Sequence, residues 1–306
     1  MTDFAGVVAL ADNPLACLDG RSFAAILGAN PSKGARSPGL WNAAFAAHSV
    51  DAEMIAIDVP EERLERLLAT LDDNPWFLGG AVAVPHKEAV ARWLGARVAS
   101  EAAAIGAVNC LFRDSSGRLV GTNTDGEGAL VSFENRFGPV AGRSILLMGP
   151  GGAGKAVAAF FRRAVDPNGR LSIAGRSQGG RRFAERLECE WVEWRNLAEA
   201  LPGVDVLINC TSVGSGATAG ESPVAAELLA QLPDRALVFD IIYQPSPSTL
   251  LILAARRGLP VFDGGAMNLE QAVLAYGYAA PQPRGPEATR TAMEQKRTGS
   301  VRHGCL

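Results

Sequence analysis

The stretch that most constrains this chain is Ser144-Ile145-Leu146-Leu147-Met148-Gly149-Pro150-Gly151-Gly152-Ala153-Gly154-Lys155-Ala156, followed by Val157-Ala158-Ala159-Phe160-Phe161. An apolar run meets glycines and small residues, then resumes at helical spacing, which predicts strand, tight turn and helix. Gly149-x-Gly151-x-x-Gly154 has the spacing of a dinucleotide-binding turn. The first glycine allows the turn, the second lets a pyrophosphate approach the backbone, and the third lets the helix pack closely on the strand. Gly152 and Ala153 then place backbone N–H groups at the helix N-terminus, where an anion would rest. Glycine-rich turns also occur without a ligand. The same residues nearly spell the phosphate loop of nucleotide triphosphatases, but Ala156 stands where that motif needs Ser or Thr for Mg²⁺.

The next segment of the chain favours the dinucleotide reading. A second short strand, Leu171-Ser172-Ile173-Ala174, ends at Gly175-Arg176-Ser177. Arg176 falls about twenty residues past Gly154, where an NAD-selective site carries Asp or Glu for the ribose 2′-OH and an arginine accommodates a 2′-phosphate. Arg181 and Arg182 come soon after, and no carboxylate intervenes to repel a phosphate. NADP is therefore favoured over NAD. Arg181 and Arg182 have the alternative reading of a solvated helix face.

The 306 residues allow two domains of ordinary size, and 48% hydrophobic with 20% charged residues is a globular composition. A net charge of −3 without a long basic run argues against nucleic acid as a partner. Five cysteines, Cys17, Cys110, Cys189, Cys210 and Cys305, are scattered without CxxC pairs, so neither a disulfide framework nor a zinc site is expected. Met1-Thr2-Asp3 lacks the basic residues of a signal peptide, and no apolar run approaches the ~18 residues of a membrane span. The expectation is a soluble, cytoplasmic protein with a small-molecule substrate and no membrane or metal partner, as monomer or homodimer.

Along the chain, strand and helix patterns alternate. Strands are predicted over residues 23–28, 52–58 and 81–84, with helices opening at Ser37-Pro38 (Ser37 as N-cap), at Pro60 and after Lys87. Asp114-Ser115-Ser116-Gly117 joins a hairpin. A polar turn, Asn123-Thr124-Asp125-Gly126, precedes a helix over 127–137, and a domain boundary is placed near 126. Near-continuous apolar strands over 204–209 and 236–242 belong to a parallel sheet covered on both faces. The fold class is α/β, with a Rossmann-type domain beside a smaller α/β domain. The tail over 281–306, rich in Pro, Arg and Thr, is read as mobile.

Eight segments, in order, resemble the shikimate dehydrogenase family over about residues 22–280. They are Gly28-x-x-Pro31 with Ser37-Pro38 and Asn42; Val84-Pro85-His86-Lys87; Gly106-Ala107-Val108-Asn109; Asn123-Thr124-Asp125-Gly126; Gly149-Pro150-Gly151-Gly152-Ala153; Asn209-Cys210-Thr211-Ser212-Val213-Gly214; Asp240-Ile241-Ile242-Tyr243; and Gly264 with Met267 and Gln271. The resemblance implies a substrate domain over 1–126 completed by the helix at about 264–280, an NADP-binding domain over 127–263, and a site in the cleft between them. Lys87 and Asp125 match the family's catalytic pair. Hydride transfer to a ketone leaves an alkoxide that must gain a proton, which a lysine ammonium beside a carboxylate can supply. Ser37, Asn109, Tyr243 and Gln271 are the implied substrate contacts. Gly149, Gly151, Gly152, Ala153, Gly154, Arg176, Ser177, Thr211 and Gly264 are the implied cofactor contacts.

The pocket departs from the family pattern. Of the two serines in H-S-x-S-P only Ser37 is present, in Gly34-Ala35-Arg36-Ser37-Pro38, and the Asn and Thr of N-V-T-x-P-x-K are Ala81 and Ala83. Each lost hydrogen bond is worth ~1 kcal/mol, or ~1.5–3 kcal/mol to a charged group. The implied activity is NADP-dependent interconversion of a cyclic carboxylated alcohol and its ketone, shikimate and 3-dehydroshikimate or a close analogue. The alternatives are a quinate or aminoshikimate dehydrogenase on the same fold, or a weakly catalytic dinucleotide-binding sensor. Arg36 and Lys33 are candidate replacement anion anchors, His86 a candidate substrate contact, and Trp41 and Cys210 are read as packing.

Overall fold

A computed structural model describes residues 4–16, 18, 20–281 and 284–299. Residues 1–3, Cys17 and Cys305 lie outside the described residues. The chain forms two compact units. One runs up to Thr124 and resumes at Gln271; the other is Asp125–Glu270. The divisions fall after Thr124 and inside the helix Gly265–Ala279.

The first unit holds a five-stranded sheet of β1 (Ser22–Gly28), β2 (Ala52–Asp58), β3 (Phe77–Val82), β4 (Cys110–Arg113) and β5 (Leu119–Thr122), in the order β2-β1-β3-β4-β5. β1 pairs in parallel with β2 and β3, and β4 and β5 form the expected hairpin, whose turn Asp114 closes by accepting from the N–H groups of Ser116 and Arg118. β3 begins earlier than the strand predicted over 81–84, because Gly79 and Gly80, poor strand formers, lie inside it. Both glycines have positive φ, and a Cβ on Gly80 would lie 2.0 Å from the Ala25 carbonyl oxygen. Only glycine can occupy a central strand there. β3 delivers the chain to Lys87, first residue of the helix Lys87–Leu94.

The helix Ser37–His48 places its capping position at Arg36, not Ser37; Ser37 is the first helical residue and is buried. The tail read as mobile instead carries a helix over Pro286–Gly299, which packs on Ser37–His48 with Ala292 and Met293 buried. Its apolar positions are spaced too widely among polar ones to stand out in the sequence. Residues 300–306 lie outside the described residues.

The second unit holds β6 (Ser144–Met148), β7 (Arg170–Gly175), β8 (Glu190–Glu193), β9 (Val206–Asn209), β10 (Leu237–Asp240) and β11 (Val261–Phe262), all parallel, in the order β11-β10-β9-β6-β7-β8. Ile145 and Leu147 enter one core with Phe133 and Phe161, while Leu146 and Met148 enter another with Leu207 and Leu250. This two-sided burial explains the unbroken apolar runs. β8, an edge strand with a glutamate at each end, has no such run and is not predicted from sequence. The order in which successive strands are added reverses between β6 and β9, with β7 and β8 on one side and β9 to β11 on the other, the place where open α/β sheets bind ligands at the strand C-termini. Among the described residues no helix is long and apolar enough to cross a membrane.

Gly80→Ala is expected to lower the unfolding free energy by at least ~2 kcal/mol, since a Cβ meets rigid neighbouring backbone at a positive φ; urea denaturation measures this.

Candidate active site

In the first unit, a polar cluster is linked to the backbone of Lys87 through Val108. The Lys87 carbonyl accepts from Val108 N–H at 2.9 Å, which fixes the head of its helix to the residue preceding Asn109. Asn109 is buried. Its Oδ1 accepts from Thr124 N–H at 2.7 Å, and its Nδ2 donates to Thr124 Oγ1 at 3.1 Å and to Gln271 Oε1 at 3.4 Å. Thr124 Oγ1 in turn donates to the Gln271 carbonyl at 3.1 Å. Two predicted substrate contacts, Asn109 and Gln271, are therefore brought together. Thr124, not singled out from sequence, is the group that joins them.

Other residues near this segment are structural. His86 is buried, with Nε2 2.7 Å from the Val59 carbonyl oxygen, so its ring braces the loop. Asn42 bonds both backbone groups of Met54 and ties its helix to β2. Trp41 is fully buried against Phe45 and Tyr276. Lys33 is exposed and Ala83 half-buried.

In the second unit, the glycine turn has the geometry its spacing predicts. Gly149 has φ +90°, and a Cβ there would strike Thr211. A Cβ on Gly154 would lie 2.0 Å from the Gly149 carbonyl oxygen, so helix Gly152–Ala164 sits directly on the turn. Gly151 differs: nothing lies within 4 Å of its Cβ position. Two glycines are thus required by packing, while the middle one borders open space at an uncapped helix N-terminus, where a pyrophosphate fits. Pro150 wedges against Gly175 and Gly180, bringing the turn beside Arg176 and Ser177. Ser177 caps the helix Gln178–Arg186 by accepting from Gly180 N–H.

Asp125 opens the helix Asp125–Phe137 and is buried. The next residue, Gly126, brings this helix against the helix of the glycine turn so closely that a Cβ would lie 2.3 Å from the Ala156 carbonyl oxygen. Cys210 lies beside Gly149 and Gly154, and its thiol is pushed well above its ordinary pKa by burial and then by the Asp240 and Asp125 carboxylates. This environment disfavours the thiolate, which fits the reading of Cys210 as packing.

Asp240, at the end of β10, is fully buried and accepts from Asn209 Nδ2 at 3.0 Å, Ile242 N–H at 3.1 Å and Ser248 Oγ at 2.6 Å. Burial still dominates these donors and raises its pKa. Asn209 Oδ1 accepts from Thr211 N–H and Oγ1, so Asp240 holds the Thr211 loop through Asn209 and the backbone beside Tyr243 directly. Gly264 passes so close to Ile241 that a Cβ would lie 1.9 Å from its carbonyl oxygen. Asp240 was not singled out from sequence; the signal that marks it is an acid inside an otherwise apolar strand segment. Nothing in the sequence marked Gly126 as a helix contact.

At the C-terminal edge of β7, Arg176 is exposed, and its guanidinium lies over the Trp194 ring at 5.6 Å. Arg181 is instead drawn to Glu185 and Glu193, at 3.5 and 3.6 Å, which fits the solvated-face alternative.

Gly126→Ala is expected to lower stability by ~1–3 kcal/mol in urea unfolding, because one of its neighbours is backbone that cannot rotate away.

Comparison with known proteins completes this geometry. Residues 27–111 match the shikimate dehydrogenase substrate binding domain. A shikimate dehydrogenase (NADP(+)) of Symbiobacterium thermophilum is 36% identical over 278 residues, covering 87% of this chain and 92% of the relative. One of Rubrobacter xylanophilus is 38% identical over 269 residues, covering 84% and 90%. Among solved structures, shikimate 5-dehydrogenase from Thermus thermophilus, in complex with NADP(H) and shikimate, gives a TM-score of 0.76 at 29% identity and covers 90% of this chain and 99% of that chain. Together with the glycine turn, the parallel sheet and the order of the motifs, these likenesses show that the chain belongs to the shikimate dehydrogenase family.

Proposed function

We propose that this protein is an NADP-dependent oxidoreductase that interconverts shikimate and 3-dehydroshikimate, or a close cyclic hydroxy acid and its ketone. The observation that carries the reading is the seating of Asp125 at the head of a helix pressed, through Gly126, on the helix of the glycine turn. An acid is thereby held beside the place where a dinucleotide pyrophosphate would rest. The named activity of relatives covering most of the chain supports it.

Bound NADP supplies or accepts a hydride at nicotinamide C4. The chain's residues handle the rest. The Lys87 ammonium gives its proton to the oxygen of the carbonyl being reduced, and in oxidation the Lys87 amine takes that proton back. Asp125 accepts from the substrate hydroxyl. Ser37, Asn109, Gln271 and Tyr243 bind the ring substituents. Gly149, Gly151, Gly152, Ala153, Gly154, Thr211 and Gly264 form the cofactor cradle, with Arg176 and Ser177 at the 2′-phosphate. Ala35, Ala81 and Ala83 leave fewer polar groups for the ring hydroxyls and carboxylate, which favours a less hydroxylated or bulkier ring than shikimate.

Lys87→Ala is expected to reduce kcat at least a hundredfold on every ketone the enzyme turns over, the usual size of general acid–base assistance; undiminished turnover refutes the assignment. Arg176→Ala should weaken NADP⁺ binding far more than NAD⁺ binding in calorimetry, and equal losses exclude a phosphate contact. Shikimate, quinate and aminoshikimate assayed with both cofactors by nicotinamide absorbance identify the substrate. Turnover of none, with intact NADPH binding, contradicts the enzymatic reading.

A further inference from the structure

The parallel pairing of β7 with β8 sets Gly175 opposite Glu193, so Arg176 and Trp194 are the residues that come directly after an aligned pair on adjacent strands. Trp194 begins a short 3₁₀ turn and packs against the apolar core that includes Val192, Leu197 and Leu201. One part of its indole is thus fixed by the core, while its ring lies 5.6 Å beneath the Arg176 guanidinium carbon. This is within the range of a cation–π contact. Arg176 makes no ion pair with a described residue.

The neighbouring charges are already engaged. Glu193 accepts from Trp191 Nε1 at 2.8 Å and pairs with Arg181, which also pairs with Glu185. Arg176 is thus held by an aromatic face while the nearby carboxylates are engaged by Arg181 and Trp191. That difference is chemical. A carboxylate partner would fix the guanidinium but add negative charge beside an incoming phosphate, whereas an indole fixes it and leaves its N–H edge available for bidentate bonding.

We infer that Trp194 is a positioning residue for cofactor selection, holding Arg176 so that its guanidinium receives a ribose 2′-phosphate. The inference rests on the proposed role of Arg176. Trp194 acts through Arg176, and its removal affects the phosphorylated cofactor selectively.

Calorimetric titration of NADP⁺ and of NAD⁺ into wild type, Trp194→Leu, Trp194→Phe and Arg176→Ala separates the possibilities without knowledge of the substrate. Trp194→Leu is expected to lower the ratio of NADP⁺ to NAD⁺ affinity ~2- to 5-fold, the size of an exposed cation–π contact. Trp194→Phe, which keeps an aromatic face, should recover most of that ratio, and Trp194→Leu should add nothing in an Arg176→Ala background. A Trp that serves only the core would weaken both cofactors equally or lower Tm alone. That result, with Arg176→Ala still collapsing the ratio, overturns the inference and spares the Arg176 assignment. An unchanged ratio in Arg176→Ala overturns both.

Discussion

Backbone contact without an intervening side chain is the constraint on which the second unit of this protein depends. At Gly154 the first turn of a helix rests on the carbonyl of Gly149, and at Gly126 a second helix rests on the carbonyl of Ala156 in the first. These contacts stack three segments: the turn after β6, the helix it feeds and the helix that begins with Asp125. Because protein interiors are close-packed, a methyl group at either glycine would have to be accommodated by moving a whole element. The glycines thereby convert a local sequence pattern into a fixed separation between Asp125 and the glycine turn.

Around this frame the strand ends are organised by buried polar groups. Asp240 illustrates the balance. Removing a carboxylate from water is unfavourable and raises its pKa, while donors from Ser248, the Ile242 N–H and Asn209 offset part of that penalty. Such a group contributes little net stability but dictates geometry, because every donor left unpaired in the interior would cost ~1–3 kcal/mol. The loop after β9 and the backbone before Tyr243 are consequently tied to one acid.

The sequence disclosed those parts of the fold that repeat a strong period or a special residue. The strand, turn and helix around Gly149–Gly154 and the hairpin at Asp114 come from local chemistry, and the alternation of strand and helix implied the two α/β units. What it concealed depended on distant neighbours. Gly79 and Gly80 read as poor strand formers until Ala25 and Leu111 are known to press on them. The edge strand β8 lacks the apolar face that marks a buried strand. The helix Pro286–Gly299 is stabilised by packing on Ser37–His48 rather than by a conspicuous apolar stripe. For the site, residue types were legible but their mutual support was not: Thr124, Asp240 and Trp194 act through partners far away in the sequence.

The Asn109 cluster combines short and long hydrogen bonds among residues proposed to bind substrate. Two of its contacts to Thr124, at 2.7 and 3.1 Å, fix both ends of the Asn109 amide, whereas the contact to Gln271 is 3.4 Å. Hydrogen-bond strength falls with such lengthening, so of these three contacts the one to Gln271 is the weakest. Because Thr124 also donates to the Gln271 backbone, the helix that carries Gln271 is anchored independently of that side-chain bond. In the proposed role of these two amides, selectivity would come from whether the ring places a hydroxyl within their reach.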